Sequence, residues 1–413
     1  AAACTRSRTI SRSCSWTKQG LRLNSSVTGC PSRRPEIDPG SLLPDLPLGS
    51  RILLIRLRSL GDIVLLTPSL RLLKEWRQDL RISVLIESRF HDLLTGNTHV
   101  DEVLSPGGGG GIRQAKARLR MVRELRGRRF SLCVNLHGGP GSVFFSRYCG
   151  ARWNAAFAHF RRQSSYDFAI PDARTILGQA VVHTAEHQAS AFFWLGLPRQ
   201  PVPASEIFVS DTGRDEWRSR LSSLDVAPAR PYAILQPSAL YPTKEWPAER
   251  FAQLGQYIER EAGLIPLFSC GPGESSHLDR VERASPRPIR RLEGLKLATF
   301  IAAVAGSALF VGNDSGPAHI AAACGVPLAV IFGSSNSRIW GPWMQPARSS
   351  GGEAAAPFRI VQNVYECNPC RGDRCYRFER PECVLSVTFE QVRSAVEAVL
   401  KGVSPESMAA NKR

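Results

Sequence analysis

The stretch Val311-Gly-Asn-Asp-Ser-Gly-Pro-Ala-His-Ile320 is the most informative in the chain, because a buried strand ends in it and a helix begins at once. The apolar residues 307–312 form the strand, and a second apolar strand follows at 327–332. Glycine at such a turn lets the backbone approach an anion, and the first N–H groups of the helix have no partner within it. The pattern predicts a phosphate-binding turn with hydrogen-bonding side chains at Asp314, Ser315 and His319; a plain helix N-cap is the alternative.

Strands and helices alternate on both sides of this turn. The pattern predicts βα units in two series, and each series indicates a parallel doubly wound sheet. The predicted fold is therefore α/β, with two Rossmann-like domains that face a central cleft at the carboxyl ends of both sheets. The predicted strands lie at 51–56, 82–86, 100–104, 132–136, 232–236, 265–270 and 307–312, and the predicted helices at 63–77, 90–95, 116–126, 212–224, 247–262, 295–304 and 387–400.

Composition shifts mark the predicted domain boundaries. The first 49 residues are rich in Ser, Arg and Pro and are predicted to be a disordered basic leader. Prolines cluster near 198–203 and again at 228–231, on either side of a linking helix. The predicted segments are a leader at 1–49, an N-terminal acceptor domain at 50–210, a linking helix and linker at 211–230, a C-terminal nucleotide-sugar donor domain at 231–400 and a tail at 401–413.

The net charge of +17 favours anionic partners. Only +4 of it lies in the first fifty residues. No nucleic-acid-binding module is recognisable, so a membrane face or a phosphorylated substrate is the preferred partner. No apolar run reaches the roughly 18 residues that span a bilayer. Seven of the eleven cysteines are scattered, several of them inside apolar strands, which indicates a reducing cytoplasm.

The first βα turn, Leu57-Arg-Ser-Leu-Gly-Asp-Ile63, carries a candidate base. Gly61 allows a close approach, and the helix dipole stabilises the Asp62 carboxylate as an anion. Asp62 is either a helix cap or a general base directed into the cleft. The turn lacks the G-x-G-x-x-G spacing of dinucleotide binders, which argues against hydride chemistry.

Two loops in the second series offer donor-binding groups. Lys244 follows the strand 232–236 and can pair with a phosphate, or it is a surface lysine. Glu274 closes the Cys270-Gly-Pro-Gly-Glu274 turn and can accept ribose hydroxyls, or the turn is structural. The chain contains no Asp-x-Asp pair of the type that holds a divalent ion on a sugar nucleotide. His183 and His187 have the spacing of helical metal ligands and are interpreted as structural residues, since no zincin motif surrounds them.

Four further cysteines form a C-x2-C-x4-C-x7-C cluster before the closing helix. This spacing is compatible with structural zinc, with clustered free thiols or with one disulfide. In each case the predicted role is to hold an irregular segment in place and not to take part in catalysis. The cluster consists of Cys367, Cys370, Cys375 and Cys383.

Taken together, these segments resemble glycosyltransferase family 9, the ADP-heptose:lipopolysaccharide heptosyltransferases. The resemblance covers residues 51–400 and is carried by 51–68, 236–247, 312–333 and the cysteine cluster. It implies a GT-B fold and an inverting transfer that needs no metal ion or other cofactor. It also implies an ADP-heptose-like donor, bound mostly by the C-terminal half.

The resemblance implies a role for each matching residue. Asp62 would be the general base, and Ser59 and Gly61 would lie on the acceptor side. In the donor site, Lys244 would bind phosphate and Asp314 would contact the sugar hydroxyls. The residues around the diphosphate would be Ser315, Gly316 and His319. Leu295 would lie near the adenine, and Glu274 would contact the ribose.

The expected acceptor is an anionic glycolipid or the lipopolysaccharide core. The enzyme is expected in the cytoplasm, in peripheral contact with the inner membrane face, without nucleic acid as a partner. Two alternatives stay open. One is a GT-B transferase that uses another nucleotide sugar in surface-glycan synthesis. The other is a non-catalytic sugar-nucleotide or glycolipid binder, against which the carboxylate of Asp62 in the first βα turn argues.

Overall fold

The computed structural model describes residues 38–107, 111–160, 163–227, 230–344, 358–370 and 372–401. In this part of the chain the strands form two parallel six-stranded sheets, one in each domain. The first sheet has the order β3-β2-β1-β4-β5-β6. Its strands are β1 (Arg51–Ile55), β2 (Arg81–Leu85), β3 (Glu102–Leu104), β4 (Leu132–Asn135), β5 (Trp153–Phe157) and β6 (Phe168–Ile170).

The helices of the first domain connect these strands. Met121, Val122 and Leu125 of α3 and Phe145 of α4 form a core with the buried side chains of β1 and β4. The helices are α1 (Leu60–Val64), α2 (Thr67–Trp76), α3 (Gly111–Gly127), α4 (Pro140–Tyr148), α5 (Ala173–Leu177) and α6 (Thr184–Trp194), with 3-10 turns at Pro39–Ser41, Ser88–Leu93 and Gln163–Ser165.

The second domain repeats the strand order of the first, since its sheet runs β12-β11-β10-β7-β8-β9. Counted from its own first strand, each sheet therefore has the order 3-2-1-4-5-6 of a dinucleotide-type fold. The strands are β7 (Tyr232–Gln236), β8 (Ile265–Ser269), β9 (Arg290–Leu292), β10 (Leu309–Asn313), β11 (Leu328–Phe332) and β12 (Phe358–Gln362).

The helices of the second domain enclose its core, in which Trp246 and Phe251 pack against the strands. Helix α14 packs against β11 and β12 and closes the domain. The helices are α7 (Asp211–Ser223), α8 (Ala248–Arg260), α9 (Ser275–Ala284), α10 (Leu297–Ala305), α11 (Gly316–Ala323), α12 (Ser337–Trp340), α13 (Glu382–Leu385) and α14 (Phe389–Lys401), with a 3-10 turn at Pro242–Lys244.

The strand pairing places the site at the point where the strand order reverses. In the first sheet β1 lies between β2 and β4, so Ile52 pairs with Ile82 and with Leu132. In the second sheet β7 lies between β8 and β10. Ligands of open parallel sheets bind outside the carboxyl ends of the strands at such a reversal. The turns after β1, β7 and β10 are therefore the expected ligand-binding turns.

Two local differences from the sequence prediction have physical causes. The helix predicted at 63–77 is two helices, α1 and α2, with Pro68 in the first turn of α2. Proline lacks an N–H and is tolerated only in the first turn of a helix, so a new helix begins there. The second difference concerns residues 38–49, which were predicted to be part of a disordered leader. They pack against the first domain, because Leu43 is fully buried and its N–H bonds to the carbonyl of Leu195.

Other predicted features lie partly or wholly outside the described residues. These are residues 1–37 of the leader, most of the five-glycine run at 107–111 and nearly all of the tail at 401–413. The domain boundaries themselves stay a prediction. Among the residues that the structure describes, no helix has the length and apolar character needed to cross a membrane.

Candidate active site between the two domains

Asp62 lies in the first turn of α1 with both carboxylate oxygens engaged. Oδ2 accepts hydrogen bonds from the N–H of Ser59 (3.1 Å) and from its hydroxyl (3.0 Å). Ser59 is the N-cap residue, so Asp62 is the reciprocal partner in a capping box and not the cap itself. The side chain of Asp62 is 15% exposed. The local sequence thus fixes a carboxylate at the carboxyl edge of β1.

Arg56 forms an ion pair with Oδ1 of Asp62, a contact that the sequence analysis did not anticipate. Its guanidinium also donates to the carbonyl oxygen of Leu136, at the end of β4. The Arg56 side chain is only 13% exposed, so the charge of each partner offsets the burial of the other. One signal was present in the sequence: Arg56 is the first charged residue after the apolar strand.

Two half-buried histidines, His187 and His137, lie beside this carboxylate and are called the histidine wall below. The ring of His187 stacks on Phe157 at a centroid distance of 4.2 Å, and burial lowers its pKa to about 4. Burial, and then the charge of Arg56, lower the pKa of His137, whose ring Nδ1 lies 3.0 Å from the carbonyl oxygen of Arg58. Gln188 donates to the backbone carbonyl of Asp62 at 3.0 Å. The histidine wall is therefore uncharged near neutral pH.

His183 has a structural role, as its context in the sequence indicated. Its Nδ1 accepts from the N–H of Ala185 and so caps α6. Its Nε2 lies 3.0 Å from the carbonyl oxygen of Gly341, and its ring stacks on Trp343. His183 and His187 therefore make separate contacts, and His183 joins the first domain to the second.

In the second domain, Lys244 forms an ion pair with Asp314 at 2.7 Å. Asp314 is buried, and 21% of the Lys244 side chain is exposed. Asn313, a residue that the sequence analysis did not select, holds the lysine loop against β10. Its amide donates to the carbonyl of Pro237 at 2.8 Å, and its carbonyl accepts from the N–H of Trp246 at 3.1 Å.

Helix α11 begins directly beside this ion pair. Ser315 is at the N-cap position, but its hydroxyl donates to the carbonyl of Asn313 (3.2 Å) and makes no capping bond. Ser315 is therefore the N-cap residue by position, but it supplies no side-chain capping bond. The N–H of Gly316, the first residue of α11, stays without a side-chain cap from Ser315, as an anion-binding helix start requires.

His319 of α11 lies against the first domain. A Cβ atom on Gly61 would be 2.6 Å from its Cδ2 atom, so the ring and the glycine are in direct contact. Burial lowers the pKa of His319; the charges of Asp314 and Asp62 raise it, and that of Lys244 lowers it. The ring Nδ1 has no hydrogen-bond partner among the described residues. His319 therefore lies between the candidate base and the candidate phosphate-binding group.

Of the remaining candidate residues, Gly316 lies in this site, whereas Glu274 and Leu295 lie outside the ion pair of Lys244 and Asp314. Gly316 is part of the site, because a Cβ there would be 2.9 Å from the side chain of Leu60. Glu274 accepts from the N–H of Gly271 at 2.8 Å, which closes the turn after β8. Leu295 is half-buried between β9 and α10. Within the described part of the chain, neither Glu274 nor Leu295 bonds to Lys244 or Asp314.

The four clustered cysteines surround a cavity of about 120 Å³ next to the Lys244 loop. All four are free thiols, so the disulfide alternative does not apply. Among the described residues, no three side chains are arranged to hold a metal ion. Thr243 also lines the cavity, and its hydroxyl donates to the carbonyl of Gly372. The cluster thus supports the residue that precedes Lys244.

The site therefore combines a fixed carboxylate in the first domain with a cation and an uncapped helix start in the second. A candidate base paired with a candidate anion-binding group, between two Rossmann-like domains, is the arrangement expected of a glycosyltransferase of the GT-B type. The candidate base and the candidate anion-binding turn meet where α1 and α11 pack against each other.

Comparison with known proteins agrees with this class. The family model described as glycosyltransferase family 9 (heptosyltransferase) matches residues 118–367. The chain is 25% identical over 300 residues to lipopolysaccharide heptosyltransferase 3 of Escherichia coli K12, which covers 69% of this chain and 83% of that protein.

Two solved structures share the fold. A family 9 glycosyl transferase from Veillonella parvula superposes with a TM-score of 0.74 at 22% identity, covering 87% of this chain and 99% of that one. The ADP-heptose lipopolysaccharide heptosyltransferase II of E. coli gives a TM-score of 0.67 at 18% identity, covering 85% and 98%. The chain belongs to glycosyltransferase family 9, and the GT-B fold predicted from the sequence is confirmed.

Proposed function

We propose that this glycosyltransferase moves a heptose, or a related sugar, from an ADP-activated donor to the lipopolysaccharide core or a related glycan. Two of the proteins named above, both from E. coli, support this choice, since both are heptosyltransferases and one is an ADP-heptose enzyme. The observation that carries the proposal is the position of His319, which contacts Gly61, the neighbour of Asp62 in α1, and lies within electrostatic reach of Lys244.

On the acceptor side, Asp62 takes the proton from the attacking hydroxyl. Ser59 and Arg56 hold its carboxylate in one orientation, so the base is positioned before the substrate arrives. The hydroxyl oxygen then bonds to the anomeric carbon, on the face opposite the leaving nucleotide. This direct displacement inverts the configuration of the transferred sugar. Ser59 and Gly61 shape the acceptor side of the turn.

On the donor side, the bond between the anomeric carbon and the diphosphate oxygen breaks, and its electron pair goes to that oxygen. Lys244 and the N–H groups of Ser315 and Gly316, at the start of α11, stabilise the negative charge. Asp314 holds the lysine and is available to the sugar hydroxyls. These groups supply the charge compensation that other transferases take from a divalent ion, so we propose that transfer needs no metal.

The nucleoside is assigned to the edge of the second sheet. Leu295 would contact the adenine and Glu274 the ribose, as the turns after β9 and β8 lie at the same edge as Asp314. Binding there requires Glu274 to exchange its bond with the N–H of Gly271 for the ribose hydroxyls. We propose that the reaction takes place in the cytoplasm, at the inner face of the membrane, where a lipid-linked acceptor is presented.

The cysteine cluster is assigned a structural role, separate from the reaction. Its four sulfur donors are a set that zinc accepts, although the thiols would have to close in on the cavity to bind an ion. We propose that a zinc ion, where present, stiffens the segment that supports Thr243. No step of the transfer involves the cluster.

The direct test measures which nucleotide the purified full chain binds and whether its transfer activity requires a metal ion. Thermal-shift measurements against ADP, UDP, GDP and NAD should show the largest stabilisation with ADP. Release of ADP from ADP-heptose should require a lipopolysaccharide-core acceptor and should persist after dialysis against EDTA. A preference for UDP or GDP would favour the alternative transferase, and stabilisation by ADP without any transfer would favour a non-catalytic binder.

A further inference from the structure

Helix α3 carries an outer face that the transfer reaction does not use. With about 3.6 residues per turn, four basic and two apolar side chains fall on one side of this helix, and all six are exposed. Ile112 is 77% exposed and Leu119 is 50% exposed. The six residues are Ile112, Arg113, Lys116, Leu119, Arg120 and Arg123, and they are called the outer face below.

The opposite side of α3 explains why the outer face points away from the protein. Met121, Val122 and Leu125 are buried against the first sheet. Before Met121 the helix has no buried residue, so its first ten residues extend past the core. None of the four basic residues of the outer face forms an ion pair with a described residue. Within the described part of the chain, these four charges are therefore unpaired.

The topology brings the start of this helix to the acceptor side of the molecule. Helix α3 connects the carboxyl end of β3 to the amino end of β4. Since β1 and β3 run parallel, the carboxyl end of β3 lies at the same edge as Asp62. The amino-terminal part of α3, with Ile112 and Arg113, thus lies towards the edge of the sheet that carries the proposed base.

We propose that the outer face of α3 docks the enzyme on a bilayer that contains anionic lipid. Arg113, Lys116, Arg120 and Arg123 contact the headgroups, while Ile112 and Leu119 insert at the boundary with the acyl chains. Exposed apolar residues within a basic helical face are typical of helices that lie in a membrane interface. The proposal rests on the proposed function in one respect: a lipid-linked acceptor would reach Asp62 from the docked side.

A nucleic acid is the other polyanion that a basic face attracts, but the two apolar residues favour the bilayer. Phosphate contacts use charge and hydrogen bonds and gain nothing from Ile112 or Leu119. Binding to a bilayer interface is strengthened by both residues, because burying apolar surface is favourable. The apolar pair therefore distinguishes the two partners experimentally.

The test measures vesicle binding of the full chain by co-sedimentation. Vesicles of phosphatidylcholine with an equal part of phosphatidylglycerol should bind it, and vesicles of phosphatidylcholine alone should bind it far more weakly. The triple variant Arg113→Glu, Lys116→Glu, Arg120→Glu should lose affinity for the mixed vesicles by at least a hundredfold, since each basic residue near an anionic surface contributes roughly fivefold. Its melting temperature should stay within about two degrees of wild type, because the three side chains are exposed.

Matched controls separate the helix from the overall charge. Arg260→Glu, Arg283→Glu, Arg287→Glu makes the same charge change at exposed positions of the second domain and should keep most of the vesicle binding. The pair Ile112→Ser, Leu119→Ser should weaken vesicle binding severalfold and leave binding to a double-stranded RNA unchanged. Val364→Ser, at another exposed apolar position, should alter neither.

Three results would overturn the proposal: vesicle binding that the α3 charge reversal leaves intact, an equal loss in the second-domain control, or no effect of the serine pair on vesicle binding. Vesicle binding is measured without donor or acceptor, so the result is independent of the proposed transfer reaction. The charge reversal could abolish vesicle binding in an enzyme that does not use ADP-heptose. In that case the proposed donor would be wrong, and the proposed docking face would be supported.

Discussion

His319 in the second domain lies so close to Gly61 in the first that a single added methyl group would overlap its ring. The Cβ of an alanine at position 61 would be 2.6 Å from Cδ2 of His319 and 3.2 Å from its Nε2. Gly316 has the reciprocal contact, with Leu60 as its neighbour. The two helices that carry the proposed base and the proposed anion site are thus in contact because each has a glycine there.

Gly61→Ala should therefore separate these helices. Overpacking of a close contact costs typically 1–3 kcal/mol, and a small displacement of Asp62 from the donor site reduces the rate further. We expect a lower melting temperature and at least a tenfold lower kcat. Gly127→Ala is the matched control, because nothing lies within 4 Å of its Cβ position. A Gly61→Ala enzyme with wild-type kcat would show that the contact is not needed for transfer.

Lys244→Ala should weaken binding of ADP by about 1.5–3 kcal/mol, the range of a charge-assisted hydrogen bond. Isothermal titration calorimetry of the variant with ADP measures this directly. The variant also leaves Asp314 buried without its partner, so its thermal stability should fall. Lys244→Arg keeps the charge and should restore most of the stability. Unchanged ADP affinity in Lys244→Ala would remove the lysine from the donor site.

Stability should fall as the pH is lowered from about 7 to about 4. Burial lowers the pKa of His183 and of His187 to about 4, from an ordinary value of 6.5. Below pH 6.5 the unfolded chain binds protons that the native protein does not, so the free energy of unfolding decreases. Each of the two histidines contributes up to about 3 kcal/mol across this window.

Urea denaturation at pH 7 and at pH 5 tests this pH dependence. His187→Phe keeps an aromatic ring against Phe157 and should make the loss of stability at pH 5 smaller. His91→Phe, at an exposed position, should leave the loss as large as in wild type. Equal losses in all three proteins would mean that His187 does not contribute to the pH dependence.

The double variant Cys367→Ser, Cys370→Ser should lower the melting temperature and leave turnover per folded molecule near wild type. The cluster supports the segment around Gly372, which contacts Thr243, but it takes no part in the proposed transfer. Elemental analysis of the purified enzyme reports whether zinc is present. An unchanged melting temperature with no activity would place the cluster in the chemistry.

Long apolar strands and strand-to-helix turns made much of this molecule predictable. The strand at 232–236 was placed correctly, and Asp62, Lys244, Asp314 and His319 were selected because glycine turns and charges interrupt apolar runs. Strands β5, β6, β9 and β12 were missed. Trp153–Phe157 contains no β-branched residue, and Phe358–Gln362 is only partly buried, so neither has a clear pattern.

The missed site residues depend on contacts distant in sequence. Arg56 is positioned by its hydrogen bond to the carbonyl of Leu136, eighty residues away. Gln188 is positioned by its hydrogen bond to the carbonyl of Asp62. Asn313 was visible inside the motif, but its function of holding the loop at Pro237 and Trp246 requires the pairing of β7 with β10. A local sequence pattern does not predict these contacts, because they form only when the strands pair into sheets.

The most direct test of Asp62 as the general base is to measure both kcat and the ADP dissociation constant of Asp62→Asn. Asparagine keeps the size of the side chain and can still accept from Ser59, but it cannot take a proton. Loss of a general base typically lowers the rate by about 10²–10⁴-fold. We expect that loss in kcat with an ADP dissociation constant within about twofold of wild type, while Asp211→Asn, at the exposed first turn of α7, changes neither. An Asp62→Asn enzyme that retains more than about a third of wild-type turnover would contradict the assignment of Asp62 as the base.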